Sequence, residues 1–444
     1  MMKIAEVARD VASSRMFRVG HELFWVCVGQ GVGALGAIVG VRILTQILTP
    51  TAYGELALGL TAATLANQVL LGPLGGAALR YFTPARESSD LSAYFSALRR
   101  LVAFVTGVLV VVVCVVALGL AYAGYQWAIP LLFAALMYAL LFNYSSVLDG
   151  MQNAARQRVV VAWHDGVAPW LRYGAAALLT SLIRSSSAVA MSGYALASTV
   201  VLGSQAWFFR RRILVFNRAA QTNPRSTIAW TRRMTGYAWP FTIFGVFTWA
   251  QTVSDRWALQ AFSTTAIVGQ YAVLFQLGYY PVAMGSALLM QLVTPVLFDR
   301  AGDGSSPDRL RRGRDLNDRL VLVSLLITAC AAVGAFVGHE WIFRVVAAPA
   351  YRSVSPMLPW LVLSAGLFCA AQVASLGPLT ADRTERLLIP KVLSSMLGIG
   401  LNVLGARYFG IPGVVSAGLV CSVVYFLWSV YLLRTTRLDE SSAC

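Results

Sequence analysis

Charged residues are scarce in this chain, and their scarcity excludes most soluble folds. Only 12% of the 444 residues are charged, whereas 58% are hydrophobic, and the mean hydropathy is +0.67. A soluble protein of this size needs more polar surface than such a composition supplies. The composition therefore predicts a polytopic membrane protein.

Clustered metal ligands and nucleotide-binding loops are also missing. The chain has three histidines and six cysteines, without a CxxC motif or a Cys/His cluster. This pattern predicts neither a disulfide framework nor a metal site. A phosphate-binding loop of the type G-x-x-x-x-G-K-[ST] is absent, so ATP-driven pumping by this chain alone is not expected. We expect no cofactor, leaving coupling of transport to H+ or Na+ as the open question.

Apolar runs long enough to cross a bilayer recur along the whole chain. A spanning helix needs about 20 mostly apolar residues. Twelve runs meet this need, at 23–48, 54–78, 101–124, 127–148, 159–182, 187–208, 236–257, 266–297, 319–338, 354–378, 388–406 and 411–433. The prediction is an all-α protein with about 12 transmembrane helices.

Basic residues lie in alternate gaps between these runs, which is the positive-inside pattern that orients membrane helices. The basic residues that give the net charge of +16 are therefore expected to contact membrane lipids, and no nucleic acid partner is expected. Both termini are predicted to be cytoplasmic. The longest polar stretch, 209–235, is basic and divides the chain into halves, so we interpret it as a linker between two six-helix bundles. The predicted parts are an amphipathic cytoplasmic N-terminus at 1–20, the first bundle at 21–208, the linker at 209–235, the second bundle at 236–433 and a cytoplasmic tail at 434–444.

A short repeat supports this division. Arg42 opens a stretch in which Gln46, Thr51 and Ala52 follow, and Arg256 opens a similar stretch half a chain later. Its counterparts are Gln260, Thr265 and Ala266, and a glycine follows each copy, Gly54 in the first and Gly269 in the second. Repeats at half the chain length are a common plan among transporters.

The first copy resembles the N-terminus of bacterial polysaccharide-exporting flippases of the multidrug/oligosaccharidyl-lipid/polysaccharide exporter superfamily. The most specific element is Leu48-Thr-Pro50-Thr-Ala-Tyr53-Gly54, an LTP-x-x-YG motif. The other matching segments are Trp25–Gly31, Gly40–Thr45, Gly72–Gly75 and Arg80–Phe82.

The resemblance implies two six-helix bundles that form a V around a central cavity. It implies a flippase that moves polyprenyl-pyrophosphate-linked oligosaccharide from the cytoplasmic to the outer leaflet by alternating access. Such a protein serves lipopolysaccharide or exopolysaccharide assembly in the bacterial cytoplasmic (inner) membrane. Polysaccharide polymerase and assembly proteins are further expected partners.

Three arginines near or inside the spans are candidate contacts for a pyrophosphate, because a guanidinium offers forked donors to phosphate oxygens. Arg172 lies midway through its span and is the leading candidate, with a structural pairing inside the protein as the alternative. Arg42 and Arg256 lie closer to the outer face, where extension of the side chain to the interface is the alternative.

Three titratable residues are candidates for proton or ion coupling: Asp165, His164 and Asp255. A buried carboxylate or a histidine can exchange a proton during a transport cycle. Asp165 and Arg172 are seven residues apart, which places them on one helix face about 10 Å apart. The alternatives are that the His164–Asp165 pair lies in the headgroup zone, and that Asp255 forms a local ion pair with Arg256.

Two other functions stay open at this stage. A cation-coupled exporter of drugs or small molecules would share the general fold, but arginine within the spans favours an anionic substrate. A membrane-embedded polysaccharide polymerase or ligase would carry a large external loop with catalytic residues, and all external gaps here are short. We therefore predict a transporter and not an enzyme.

Overall fold

A computed structural model of the chain describes residues 2–155, 157–212, 224–301, 307–377 and 385–441. Within these ranges, all regular secondary structure is helical, which confirms the predicted all-α fold. The long helices are α1 (Met2–Ile47), α2 (Pro50–Ala66), α3 (Gly72–Glu87), α4 (Leu91–Tyr122), α5 (Ile129–Ala154), α6 (Arg158–Leu182), α7 (Ser187–Arg212), α8 (Pro224–Phe262), α9 (Thr265–Ala301), α10 (Pro307–Val346), α11 (Leu358–Ala374) and α12 (Glu385–Ser441). Shorter helical segments are the π-helix Asn67–Leu71 and the 3-10 helices Gln126–Ala128 and Pro349–Met357.

Nine stretches of the described residues are long and apolar enough to cross a membrane. The last of them, Val392–Thr435, contains Gly410, whose φ of 61° breaks α12 where the sequence predicts a gap between two spans. The predicted spans 159–182 and 236–257 are also helical, as parts of α6 and α8, although neither is among the nine. The chain is a multi-pass membrane protein, and the count of twelve spans stays a prediction.

The chain divides into two compact units. Unit 1 comprises Met1–Ile47 and Gly59–Val246, and unit 2 comprises Leu48–Leu58 and Phe247–Cys444. Two of the three boundaries fall inside continuous helices, one within α2 and one within α8, and the third follows the end of α1. The middle of the predicted linker, 213–223, and the end of the predicted tail, 442–444, lie outside the described residues.

In unit 1, small residues let α1 pack backbone to backbone against α6. A Cβ at Gly29 would collide with the carbonyl oxygen of Ala162, and one at Gly33 would lie 3.1 Å from the carbonyl oxygen of Asp165. Glycine at spaced positions favours such close approach of membrane helices. The contact fixes the position of α6, which carries most of the predicted site residues of this unit.

In unit 2, the LTP-x-x-YG motif forms the contact that docks the start of α2. Gly54 lies against the backbone of α9, where an added Cβ would be 2.9 Å from the Gly269 nitrogen, and an added Cβ at Gly269 would be 2.9 Å from the Gly54 nitrogen. The Tyr351 hydroxyl donates to the Leu48 carbonyl oxygen at 2.9 Å, and the Tyr53 hydroxyl donates to Gln276 Oε1 at 3.2 Å. The two glycines of the sequence repeat thus meet each other in space.

Candidate functional site

A cavity of about 290 Å³ in unit 1, between α5, α6 and α7, is lined by both polar and apolar side chains. It brings together Arg172, Asp165 and His164, three of the residues predicted from the sequence. Its lining residues are Phe142, Ser145, Ser146, Asp149 and Asn153 from α5, Val161, His164, Asp165, Ala168 and Arg172 from α6, and Ser198, Val201 and Gln205 from α7.

Arg172 occupies one end of the cavity. Its guanidinium donates to the Tyr138 hydroxyl at 2.9 Å and lies 5.7 Å from the centre of the Phe142 ring. The Nε atom of Arg172 is buried and has no hydrogen-bond partner. A cation held by a phenol and an aromatic face keeps its charge, so this end can attract an anionic group.

Two carboxylates occupy the other end of the cavity. Asp149 Oδ1 accepts a hydrogen bond of 2.6 Å from Gln205 Nε2, and Asp165 is near enough to Asp149 to repel it electrostatically. Asp165 is exposed, whereas Gln205 is only 1% exposed, so this end is open on the α6 side and closed on the α7 side. The cavity therefore has an acid end and an arginine end, about two helical turns apart.

His164 lies beside the acid end with both ring nitrogens engaged. Nδ1 is 2.7 Å from the Val160 carbonyl oxygen, and Nε2 is 3.0 Å from the Ser204 hydroxyl. Because a carbonyl oxygen only accepts, Nδ1 donates to Val160, while the Ser204 hydroxyl can either donate to Nε2 or accept from it. The two contacts hold the imidazole ring beside the acid end.

Several polar atoms of the cavity walls are buried without a partner. At the acid end these atoms are Ser145 Oγ and Gln205 Oε1. Outside the lining, one turn beyond Asp149 on α5, neither amide atom of Gln152 has a partner. An unmade hydrogen bond of this kind costs about 1–3 kcal/mol. Such atoms ordinarily mark a place where a water, an ion or a ligand group binds.

Sequence reasoning did not select Asp149, Gln205 and Ser145, although one signal points to them. Polar residues one or two turns apart recur on each of the three helices, as Ser145 and Asp149 on α5, Asp165 and Arg172 on α6, and Ser198 and Gln205 on α7. Residues four or seven apart share a helix face. The sequence could not indicate that these three faces converge on one cavity.

Arg256 and Asp255 lie in unit 2 and form a buried network. The Arg256 guanidinium is 3.5 Å from Asp255 Oδ1 and 4.1 Å from the centre of the Phe275 ring, and the Tyr271 hydroxyl donates to Asp255 Oδ2 at 2.7 Å. Both charged side chains are less than 10% exposed. The alternative of a local ion pair is thus the observed geometry, and a substrate contact by Arg256 would require this pair to open.

Arg42 lies on α1 in unit 1, half-buried, and is not among the residues that line the cavity. Its role as a substrate contact stays a prediction. No group of three or more His, Cys, Asp or Glu side chains that could hold a metal ion occurs in the part of the chain that the structure describes.

The sequence model of the polysaccharide biosynthesis protein family matches residues 19–299, which is more than half of the chain. A comparison with curated proteins gave no match. Solved structures of similar fold cover nearly the whole chain. They include the lipid II flippase MurJ in an inward closed conformation (TM-score 0.69, 11% identity, 93% of this chain and 87% of that one).

Two further structures share the fold. One is an inward-facing multidrug resistance MATE family transporter (TM-score 0.64, 15% identity, 94% of this chain and 99% of that one). The other is a MOP superfamily transporter from Pyrococcus furiosus (TM-score 0.57, 13% identity, 94% of this chain and 95% of that one). At these identities the likeness concerns the fold, and the family match carries the assignment. The chain belongs to the polysaccharide biosynthesis protein family, within the multidrug/oligosaccharidyl-lipid/polysaccharide exporter superfamily of membrane transporters.

Proposed function

We propose that the protein is a flippase that moves polyprenyl-pyrophosphate-linked oligosaccharide from the cytoplasmic to the outer leaflet of the bacterial cytoplasmic membrane. The single observation that carries this proposal is the family match over residues 19–299. The likeness of fold to a lipid II flippase supports it. The products would enter lipopolysaccharide or exopolysaccharide assembly, with polymerase and assembly proteins as partners.

Arg172 is the residue to which we assign the pyrophosphate. Its charge is kept at the arginine end of the unit 1 cavity, and Nε remains without a hydrogen-bond acceptor. A phosphate oxygen is the acceptor that a guanidinium binds most strongly. Arg42 is a secondary candidate, and Arg256 could take part only in a conformation that releases Asp255.

Coupling to an ion gradient is assigned to the acid end of the same cavity. Asp165 is exposed, and His164 lies one residue away on α6. Groups of this kind can take up a proton on one side of the membrane and release it on the other. Because the acid end and the arginine end share one cavity, a change of charge at Asp165 alters the field at Arg172.

A cation-coupled exporter of drugs or other small molecules is the second candidate. The observation that favours it is the pair of carboxylates, Asp149 and Asp165, since an acidic cavity suits cationic cargo. The two functions differ in the charge of their substrate. They can therefore be separated by offering both kinds of substrate to one preparation.

A leaflet-exchange assay tests the proposal. The purified protein is reconstituted into liposomes that contain a fluorescent polyprenyl-pyrophosphate-linked disaccharide, and dithionite is added from outside. Protein-free liposomes protect about half of the fluorescence, because the inner leaflet is inaccessible to dithionite. We expect the wild-type protein to remove most of this protection, and an Arg172→Ala variant to leave it in place.

The matched control is Arg407→Ala, which removes an exposed arginine in unit 2 that lies beside the Tyr408 ring. It should exchange the lipid at the wild-type rate. Protection by wild-type protein equal to that of empty liposomes, together with uptake of a cationic dye driven by a pH or Na+ gradient, would favour the exporter instead.

A further inference from the structure

We propose that the headgroup of an anionic phospholipid binds to unit 1 at a surface formed by α3 and α8, which we call the arginine–aromatic surface. Its residues are Arg80 and Tyr81 on α3, and Trp230, Arg233 and Tyr237 on α8. None of them lines the cavity between α5, α6 and α7. The inference therefore does not depend on the identity of the transported molecule.

Three aromatic rings form the base of this surface. The centre of the Tyr81 ring is 6.1 Å from that of Trp230 and 6.0 Å from that of Tyr237. Trp230 is only 5% exposed, and its indole nitrogen donates to Asp90 Oδ2 at 2.8 Å. Tyr81 and Tyr237 pack against the hydrophobic core cluster that contains Trp230. The rings are thus held in position before a ligand binds, which lowers the entropic cost of binding.

One arginine lies over a ring at each end of the base. The guanidinium carbon of Arg80 is 5.2 Å from the centre of the Tyr237 ring, and that of Arg233 is 5.1 Å from the Trp230 ring. The two rings belong to residues seven apart on α8, so they share a helix face about two turns apart. Both arginine side chains are exposed. A cation over a ring keeps its charge, so the surface presents two oriented guanidinium groups.

Carboxylates do not neutralise these two groups. Within the part of the chain that the structure describes, neither arginine forms an ion pair. Asp90 is the nearby acid of the α3–α4 turn, and it accepts hydrogen bonds from Ser226 and Trp230. Glu87 is exposed at the end of α3, two turns beyond Arg80. Phosphate oxygens are the acceptors that an unpaired guanidinium binds most strongly.

The arginine–aromatic surface lies at one edge of the predicted spans. The span 54–78 ends two residues before Arg80, and the span 236–257 begins three residues after Arg233. Both guanidinium groups therefore lie at one membrane interface, on the side that the positive-inside pattern predicts to be cytoplasmic. Basic pockets between membrane helices on that side bind acidic lipid headgroups.

Exposed apolar side chains continue the surface toward the bilayer. Phe241 lies one turn after Tyr237, inside the predicted span, and the two ring centres are 5.1 Å apart. Phe241 is 48% exposed, and Leu79, beside Arg80, is 44% exposed. The acyl chains of a lipid cover such side chains, whereas a soluble phosphate has no apolar part to do so. This combination favours a phospholipid over a soluble anion.

Native mass spectrometry of the purified full-length protein in detergent tests the proposal. The probe is dioleoyl-phosphatidylglycerol, and the zwitterionic comparison is dioleoyl-phosphatidylcholine. We expect the wild type to bind phosphatidylglycerol more tightly. Arg80→Ala and Arg233→Ala should each weaken its tightest binding by about fivefold, because one basic residue near an anionic headgroup contributes about that factor. The matched control Arg407→Ala removes an exposed arginine over the Tyr408 ring in unit 2 and should bind as the wild type does.

A second pair of variants tests the aromatic base. Tyr237→Leu removes the ring under Arg80 and should weaken binding, whereas Tyr237→Phe keeps the ring and should not. Size-exclusion chromatography checks that each variant is folded.

Three results would overturn the proposal. The first is equal affinity of the wild type for the two lipids. The second is wild-type affinity in both Arg80→Ala and Arg233→Ala, since the lipid would then bind at basic residues elsewhere. The third is displacement of phosphatidylglycerol by excess inorganic phosphate, which would identify the ligand as a soluble anion. We expect the lipid to stay bound in excess phosphate, because its acyl chains add contacts that phosphate lacks.

Discussion

The contact between Gly54 and Gly269 gives the sharpest prediction about stability. A Cβ at Gly54 would lie 2.9 Å from the Gly269 nitrogen and would collide with the Thr265 carbonyl oxygen, where an ordinary contact is 3.4–4 Å. All of these atoms belong to helix backbones, so neither side chain rotation nor a small local shift can relieve the overlap. Gly54→Ala therefore requires α2 and α9 to move apart.

The size of the effect follows from two opposing terms. Overpacking costs about 1–3 kcal/mol, and the upper end applies here because the added Cβ would overlap backbone atoms. Replacing a helical glycine by alanine returns up to about 1 kcal/mol through helix propensity. We expect a net loss of about 2 kcal/mol, which corresponds to a fall of about 4–8 °C in melting temperature for a unit of this size.

The assay is thermal unfolding of the purified protein, followed by fluorescence-detected size-exclusion chromatography. The control is Gly31→Ala, because a Cβ at Gly31 meets nothing within 4 Å. It should be as stable as the wild type or slightly more stable. Gly269→Ala should match Gly54→Ala, and the double variant should cost less than the sum, since one separation of the helices relieves both overlaps. Equal melting temperatures of Gly54→Ala and Gly31→Ala would refute the reasoning.

Three further predictions concern charged residues. Arg172→Ala should abolish surface polysaccharide export at a normal protein level in a complementation assay, while Arg172→Lys should keep part of it, because lysine retains the charge without the forked donors; normal export by Arg172→Ala would contradict the assignment. Asp255→Asn should lower stability by about 3 kcal/mol in thermal unfolding, since it leaves the Arg256 charge buried without a counter-ion, and a second change of Arg256 to Met should recover much of the loss. Asp90→Ala should lower stability by about 1–2 kcal/mol, because Asp90 accepts hydrogen bonds from Ser226 and from the Trp230 indole nitrogen (2.8 Å); an unchanged melting temperature would show that these bonds contribute nothing.

The helical class of the fold was predictable because the thickness of the bilayer sets the length of an apolar run that can cross it as a helix. The predicted runs 101–124 and 127–148 fall largely within α4 (Leu91–Tyr122) and α5 (Ile129–Ala154), and the helices extend ten residues before the first run and six residues after the second. Helices that carry polar residues toward a protein interior were harder to recognise by composition. The span 159–182 is interrupted by His164, Asp165 and Arg172 because those side chains line a cavity.

The candidate site was predictable only on one helix. Spacing places Asp165 and Arg172 on one face of α6, and the structure confirms that both line the same cavity. The spacing of residues along α6 does not indicate Asp149 or Gln205, because these residues come from other helices. Convergence of three helices depends on their packing, and packing depends on contacts between residues far apart in sequence.

The sequence by itself determined that this chain crosses a membrane repeatedly, that it has an internal repeat, and that it resembles exporters of lipid-linked sugars. Each of these follows from local composition or from a motif. The tertiary structure decided what the repeat does, because only packing brings Gly54 against Gly269 and encloses Arg256 with Asp255 and Tyr271. It also decided that polar groups of α5, α6 and α7 share one cavity, because only the packing of the three helices brings these groups together.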